Sequence, residues 1–176
     1  MKEYKQAVII GAAPMGKEKI RLLGLLKWAG LLPLTEEGRK KADALDCTGS
    51  CKTCQSACDQ KEMIKDIYIV AADGGLQFLQ EHRITPDYWV GDMDSFCPAK
   101  GDDLQAYTNA IHGIPHEKVP VEKDDTDTAL AVKKAYEEGY REMLLFGCSG
   151  GSRISHTFAN VQLMCRYEKM GCHIKM

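Results

Sequence analysis

Carboxylates recur along this chain in a pattern that suits a metal ion and a phosphorylated ligand. Acidic or glycine-rich loops follow short apolar runs at Ala72-Asp73-Gly74-Gly75, Gly91-Asp92-Met93-Asp94-Ser95, Lys123-Asp124-Asp125-Thr126-Asp127 and Gly147-Cys148-Ser149-Gly150-Gly151-Ser152-Arg153. Carboxylates gathered in one crevice repel one another unless a cation joins them, and oxygen ligands select a hard cation such as Mg2+. Asp92 and Asp94 stand two residues apart, which in extended backbone sends both side chains the same way and suits one shared ion. Asp124, Asp125 and Asp127 surround a predicted helix start with Thr126 as N-cap. Capping favours acids there too, but three where one would serve point to function. The pair Gly74-Gly75 lets backbone approach a ligand closely. Gly147 to Arg153 is the electropositive counterpart, with free N–H groups for phosphate and a guanidinium that can grip it. His156 falls near the start of the following helix and faces either the crevice or water.

Two other motifs compete for attention. Gly11-Ala12-Ala13-Pro14-Met15-Gly16-Lys17 follows a strand and opens a helix, as a Walker A loop does, but Glu18 stands where that motif needs a Ser or Thr hydroxyl. A carboxylate there repels phosphate, so the loop is not read as a nucleotide cradle. Cys47, Cys51, Cys54 and Cys58 form a local quartet that could hold Zn2+ or an iron–sulfur cluster. The same spacings also mark one face of a helix, so a buried cysteine stripe is an equal reading. Cys97, Cys148, Cys165 and Cys172 are scattered and read as small buried side chains.

Positioning these loops requires a scaffold, and the apolar runs supply one. Strands are expected at Ala7–Ile10, Ile67–Ala71, Tyr88–Val90, Lys118–Val121, Met143–Phe146 and Cys172–Lys175. Helices are expected near Lys17–Ala29, Leu76–His82, Asp127–Glu138 and His156–Met170, the third burying Leu130, Ala131, Ala135 and Tyr136. The alternation predicts an α/β fold: a doubly wound, mainly parallel sheet of about six strands in a Rossmann-like, three-layer arrangement. Loops following parallel strands emerge at one sheet edge, where such folds bind ligands. About fifty residues separate the first two strands, so residues 32–65, with the cysteine quartet, read as an insertion after the first helix. The chain stops at Met176 inside the predicted sixth strand, and the expectation is that a downstream segment is missing.

At 176 residues the chain suits one domain with a sizeable core. Its net charge of −2 leaves no basic footprint for nucleic acid. No run reaches the ~20 apolar residues of a membrane span, and the start shows no signal peptide. A cytoplasmic enzyme with reduced thiols is the expectation.

Taken in order, the loops resemble the catalytic domain of thiamine pyrophosphokinases, which carries ADGG, PDxxxGDxDS, KDxTD and a GGRxDH-type motif. The matches are Ala72 to Gly75; Pro86-Asp87 through Gly91-Asp92-Met93-Asp94-Ser95; Lys123 to Asp127; and Gly151-Ser152-Arg153-Ile154-Ser155-His156 followed by Asn160. The resemblance covers about Ile67 to Met176. It implies Mg2+-dependent transfer of a pyrophosphoryl group from ATP to the hydroxyethyl arm of thiamine, leaving AMP. It further implies Mg2+ on Asp92, Asp94 and Asp127, and Asp73 or Asp124 orienting or deprotonating the hydroxyl. Gly74, Gly75, Ser95, Thr126, Gly151, Arg153 and His156 would join Asp92 and Asp127 around the nucleotide. A homodimer and a C-terminal β-rich domain belong to the same implication, and the chain ends before that domain. Ser155 replaces the family's Asp, the glycine loop is one residue longer, and the cysteine-bearing insertion is outside the pattern. Two further readings share these loops: a pyrophosphokinase acting on another alcohol such as a hydroxymethylpterin, and a non-catalytic module that binds Mg-ATP.

Overall fold

The structure, a computed structural model, describes residues 4–28, 65–91, 113–119, 125–151 and 154–176. Lys65, the last residue of the predicted insertion, instead opens a strand, while residues 32–64 with the cysteine quartet lie outside the described residues, as does Cys97. Six strands form one sheet: β1 (Tyr4–Ile10), β2 (Lys65–Ala72), β3 (Tyr88–Gly91), β4 (His116–Lys118), β5 (Glu142–Phe146) and β6 (His173–Lys175). Their order is β4-β3-β2-β1-β5-β6, and every neighbouring pair is parallel. The helices are α1 (Glu18–Trp28), α2 (Gly75–Glu81), α3 (Asp127–Glu137) and α4 (Ile154–Glu168).

Strand β1 lies at the centre because it can be buried on both faces: Ala7, Val8, Ile9 and Ile10 are all solvent-free. Alternation then divides the core. Ala7, Ile9, Val70, Met143 and Leu145 meet Ala131, Val132 and Ala135 of α3 and Tyr167 of α4. Val8, Ile10, Ile69 and Phe146 meet Leu22 and Leu26 of α1 with Leu76 and Leu79 of α2. Helices thus cover both faces, which gives the three layers expected of a doubly wound sheet.

Helix α3 shows how local sequence sets an element. Thr126 is extended (φ −73°, ψ 156°), and its Oγ1 accepts the Ala129 N–H at 3.1 Å, capping the helix. Thr128, Ala131, Val132 and Ala135 form the buried stripe, while the expected Leu130 and Tyr136 are only half-buried at its flanks. The edge strand differs more. The expected strand Lys118–Val121 shares only Lys118 with the observed His116–Lys118, whose three residues are all exposed. Backbone pairing to β3 (Trp89↔His116, Gly91↔Lys118) fixes it, so no apolar signal marks its place. The reading of scattered cysteines as buried holds for Cys148 and Cys172, whereas Cys165 is exposed on α4.

Asp87, part of the Pro-Asp motif, sits just before β3 and therefore at the N-terminal sheet edge, opposite the loops. Its Oδ2 accepts the Ile69 N–H at 2.7 Å, and its own N–H donates to the Ile69 carbonyl at 2.8 Å. Partial burial raises its pKa, with the Ile69 amide pulling it back down. The upward shift means that ionisation is harder in the folded chain than in the unfolded one, so the charge does not add to stability. Asp87→Asn, which keeps an acceptor and removes the charge, should therefore leave stability at neutral pH unchanged or slightly higher. Asp87→Ala strands the Ile69 amide and should cost about 1–3 kcal/mol in urea titrations. An equal loss in both variants would show that the charge itself stabilises the pair.

Candidate functional site

The strand order places the topological switch between β1 and β5, from which the chain winds outward in opposite directions. A cavity of about 270 Å3 opens there, at the C-terminal strand ends. Its walls come from the loops after β1, β2 and β5 and from the N-terminal parts of α3 and α4. Asp73, Thr126, Asp127, Gly151 and His156, all expected at the site, line it. Gly74 instead lines a neighbouring cavity across the β1 loop, and Gly75 is buried with its α-carbon packed on the Ile10 carbonyl. Asp92, Asp94, Ser95, Asp124 and Arg153 lie outside the described residues.

Each lining residue has a local reason for its place. Asp73 adopts a left-handed conformation (φ 48°) while its N–H bonds to the Val90 carbonyl at 2.8 Å. Asp tolerates this region better than most residues, at a cost on the order of 1 kcal/mol, and such strain clusters at functional sites. Thr126 spends an oxygen lone pair on the cap, so its O–H remains a donor for a ligand. Asp127 occupies the first turn of α3, where the helix start favours anions.

The glycine loop is held from three directions. The β1/β5 ladder runs past the strands: the Gly11 N–H donates to Phe146 O and the Ala13 N–H to Gly147 O, each at 2.8 Å. Gly147 takes φ +62°, and a β-carbon there would lie 2.6 Å from the Gly11 carbonyl oxygen, so only glycine fits. Glu18 Oε1 accepts the Gly147 N–H at 2.8 Å. The residue that disqualifies a Walker A loop is therefore engaged in bracing the glycine loop. From α4, Thr157 Oγ1 accepts the Gly150 N–H at 3.0 Å, and Asn160 Nδ2 donates to the Cys148 carbonyl at 2.7 Å.

Cys148 and Asn160 also line the cavity and were not among the expected site residues. The spacing of His156 and Asn160, four apart on a helix, is the signal that could have found the second. Burial pushes the Cys148 thiol up to about 12, with the Thr128 hydroxyl and the Gly11 amide opposing the shift. It stays a neutral thiol through the physiological range, so alkylation with peptide mapping should modify exposed Cys165 well before Cys148. Tyr68 and Tyr140 are likewise raised, chiefly by burial. Above about pH 9 the unfolded chain releases these protons while the folded chain keeps them. Stability should therefore fall as pH rises toward 12, and a flat profile in pH-dependent melting would contradict the burial argument.

The donors fit a hard cation. Asp73 and Asp127 bring carboxylate oxygens to the cavity, and the nearby thiol is protonated and unsuited as a ligand. Among the described residues, no three His, Cys, Asp or Glu side chains stand close enough to complete a metal site.

A family model for the thiamin pyrophosphokinase catalytic domain matches residues 60–176, two thirds of the chain. The chain belongs to that family. A thiamine pyrophosphokinase of Bacillus subtilis (strain 168) is 29% identical over 107 residues, covering 61% of this chain and 47% of that protein. The crystal structure of a thiamin pyrophosphokinase from Geobacillus thermodenitrificans is similar at 25% identity, with a TM-score of 0.55 over 97% of this chain and 59% of that one. The Bacillus subtilis enzyme's crystal structure, at 23% identity and TM-score 0.56, has the same fold. The chain thus spans about half the length of this curated family member and 59% of these two solved chains.

Proposed function

We propose that this chain handles Mg-ATP at the β1/β5 cavity and transfers its pyrophosphoryl group to the hydroxyl of thiamine, giving thiamine diphosphate and AMP. The observation that carries the reading is the convergence of Asp73, Thr126, Asp127 and the glycine loop on one cavity at the switch point of a thiamin pyrophosphokinase-family fold. Mg2+, held by Asp127 with Asp92 and Asp94, would neutralise the polyphosphate. The protein's own part is to bind and orient. The Thr126 hydroxyl, Arg153 and the glycine-loop N–H groups other than those of Gly147 and Gly150, which Glu18 and Thr157 already engage, hold phosphate oxygens, and His156 lines the same cavity. Asp73 or Asp124 receives the proton of the attacking hydroxyl, while Ser95 keeps backbone close to the nucleotide. The reading includes a homodimer in the cytoplasm, the former testable by light scattering.

The deciding experiment incubates the chain with Mg-ATP and thiamine and follows AMP and thiamine diphosphate. AMP formed only with a hydroxymethylpterin would reassign the acceptor. Tight ATP binding without product would leave a nucleotide-binding module, and ADP as product would exclude pyrophosphoryl transfer altogether.

A further inference from the structure

Asn160 is 2% exposed, lies on α4 and lines the cavity, yet among the described residues only one end of its amide is used. Nδ2 donates to the Cys148 carbonyl at 2.7 Å, which fixes the orientation of the group because only the nitrogen end can donate. Oδ1 is buried and accepts no hydrogen bond among the described residues. Native chains rarely leave such an acceptor unpaired, since its desolvation is uncompensated until a donor arrives.

Resting on the proposed Mg-ATP reading, we propose that Asn160 is a nucleotide-reading residue. Its nitrogen end holds the glycine loop, and its oxygen end accepts a hydrogen bond from a neutral O–H or N–H donor on the nucleoside part of the ligand. Phosphate cannot be that partner, because phosphate oxygens offer no proton at neutral pH and would repel Oδ1. The carboxylates Asp73 and Asp127 come from β2 and α3, whereas Asn160 shares its wall with Cys148 and the glycine loop. Two groups of ATP carry the required donor, the ribose hydroxyls and the adenine amine.

The test is calorimetric titration of the full chain with Mg-ATP, Mg-2′-deoxy-ATP, Mg-3′-deoxy-ATP and Mg-inosine triphosphate. The unsubstituted chain should bind one analogue about tenfold more weakly than ATP, and which one identifies the donor. In Asn160→Leu that difference should vanish, a coupling that a merely structural role would not produce. Asn160→Asp keeps an acceptor but loses the donor to Cys148, so it should bind every nucleotide more weakly yet still discriminate. This variant decides the matter if the leucine variant fails to fold. Equal binding of all four nucleotides by the unsubstituted chain, or undiminished discrimination in Asn160→Leu, overturns the role of Asn160 while leaving the Mg-ATP reading intact. Failure of the unsubstituted chain to bind Mg-ATP overturns both.

Discussion

Asp127→Asn is expected to lower AMP formation from Mg-ATP and thiamine by at least about a hundredfold while leaving the fold intact. Asp127 stands in the first turn of α3 and lines the cavity. Asparagine preserves its volume, and the capping bond belongs to Thr126, so the helix start persists. The lost interaction of a carboxylate with the helix start is worth about 0.3–1 kcal/mol, too little to unfold the domain. The loss should instead appear in turnover and in a raised Mg2+ requirement. Wild-type turnover at ordinary Mg2+ would remove Asp127 from the chemistry and leave it as a helix-start acid.

Gly75→Ala should be the most damaging single methyl group among the described glycines. A β-carbon at this position would overlap the Ile10 carbonyl oxygen, come 2.6 Å from its carbon and lie 3.2 Å from the Gly11 nitrogen. All three are main-chain atoms of the central strand and its loop, so no rotamer change relieves the collision. Alanine normally gains about 1 kcal/mol over glycine inside a helix. Here overpacking reverses the sign, to a net loss of about 3 kcal/mol or more out of a typical 5–15. Thermal melting should show a drop of roughly 6–12 °C. Gly16→Ala, whose β-carbon meets nothing within 4 Å, serves as the comparison and should melt near the wild-type temperature.

These two positions show what could and could not be read from the chain. Strands β1, β2 and β5 were legible because residues buried on both faces of a parallel sheet read as unbroken apolar runs. Helix α3 was legible to its cap, because Thr126 and Asp127 are local signals. Strand β4 was displaced because its exposed residues, held by backbone pairing and by the Tyr88–Glu117 and Trp89–His116 contacts to β3, carry no apolar signal. The described parts of the acidic and glycine-rich loops emerge at the C-terminal sheet edge, where the cavity opens. The reason for Gly75, however, is contact with Ile10 across the sheet, not approach to a ligand. Glu18 looked like a flaw in a phosphate loop, since its bond to Gly147 spans 129 residues and no local pattern reveals it. Asn160 was legible only as the end of the fourth motif and carried no role there, because a buried amide on a helix has no hydropathy signature.

The extension of the β1/β5 ladder into its two loops has a thermodynamic side. Fixing backbone lowers conformational entropy by about 1–2 kcal/mol per residue, and here the cost for residues 11–13 and 147–148 falls during folding. A ligand arriving at that wall meets a preorganised surface and does not have to freeze it. More of the contact energy there is then retained as affinity. On the proposed reading, selection among nucleotides at that wall rests on a shape already present before encounter.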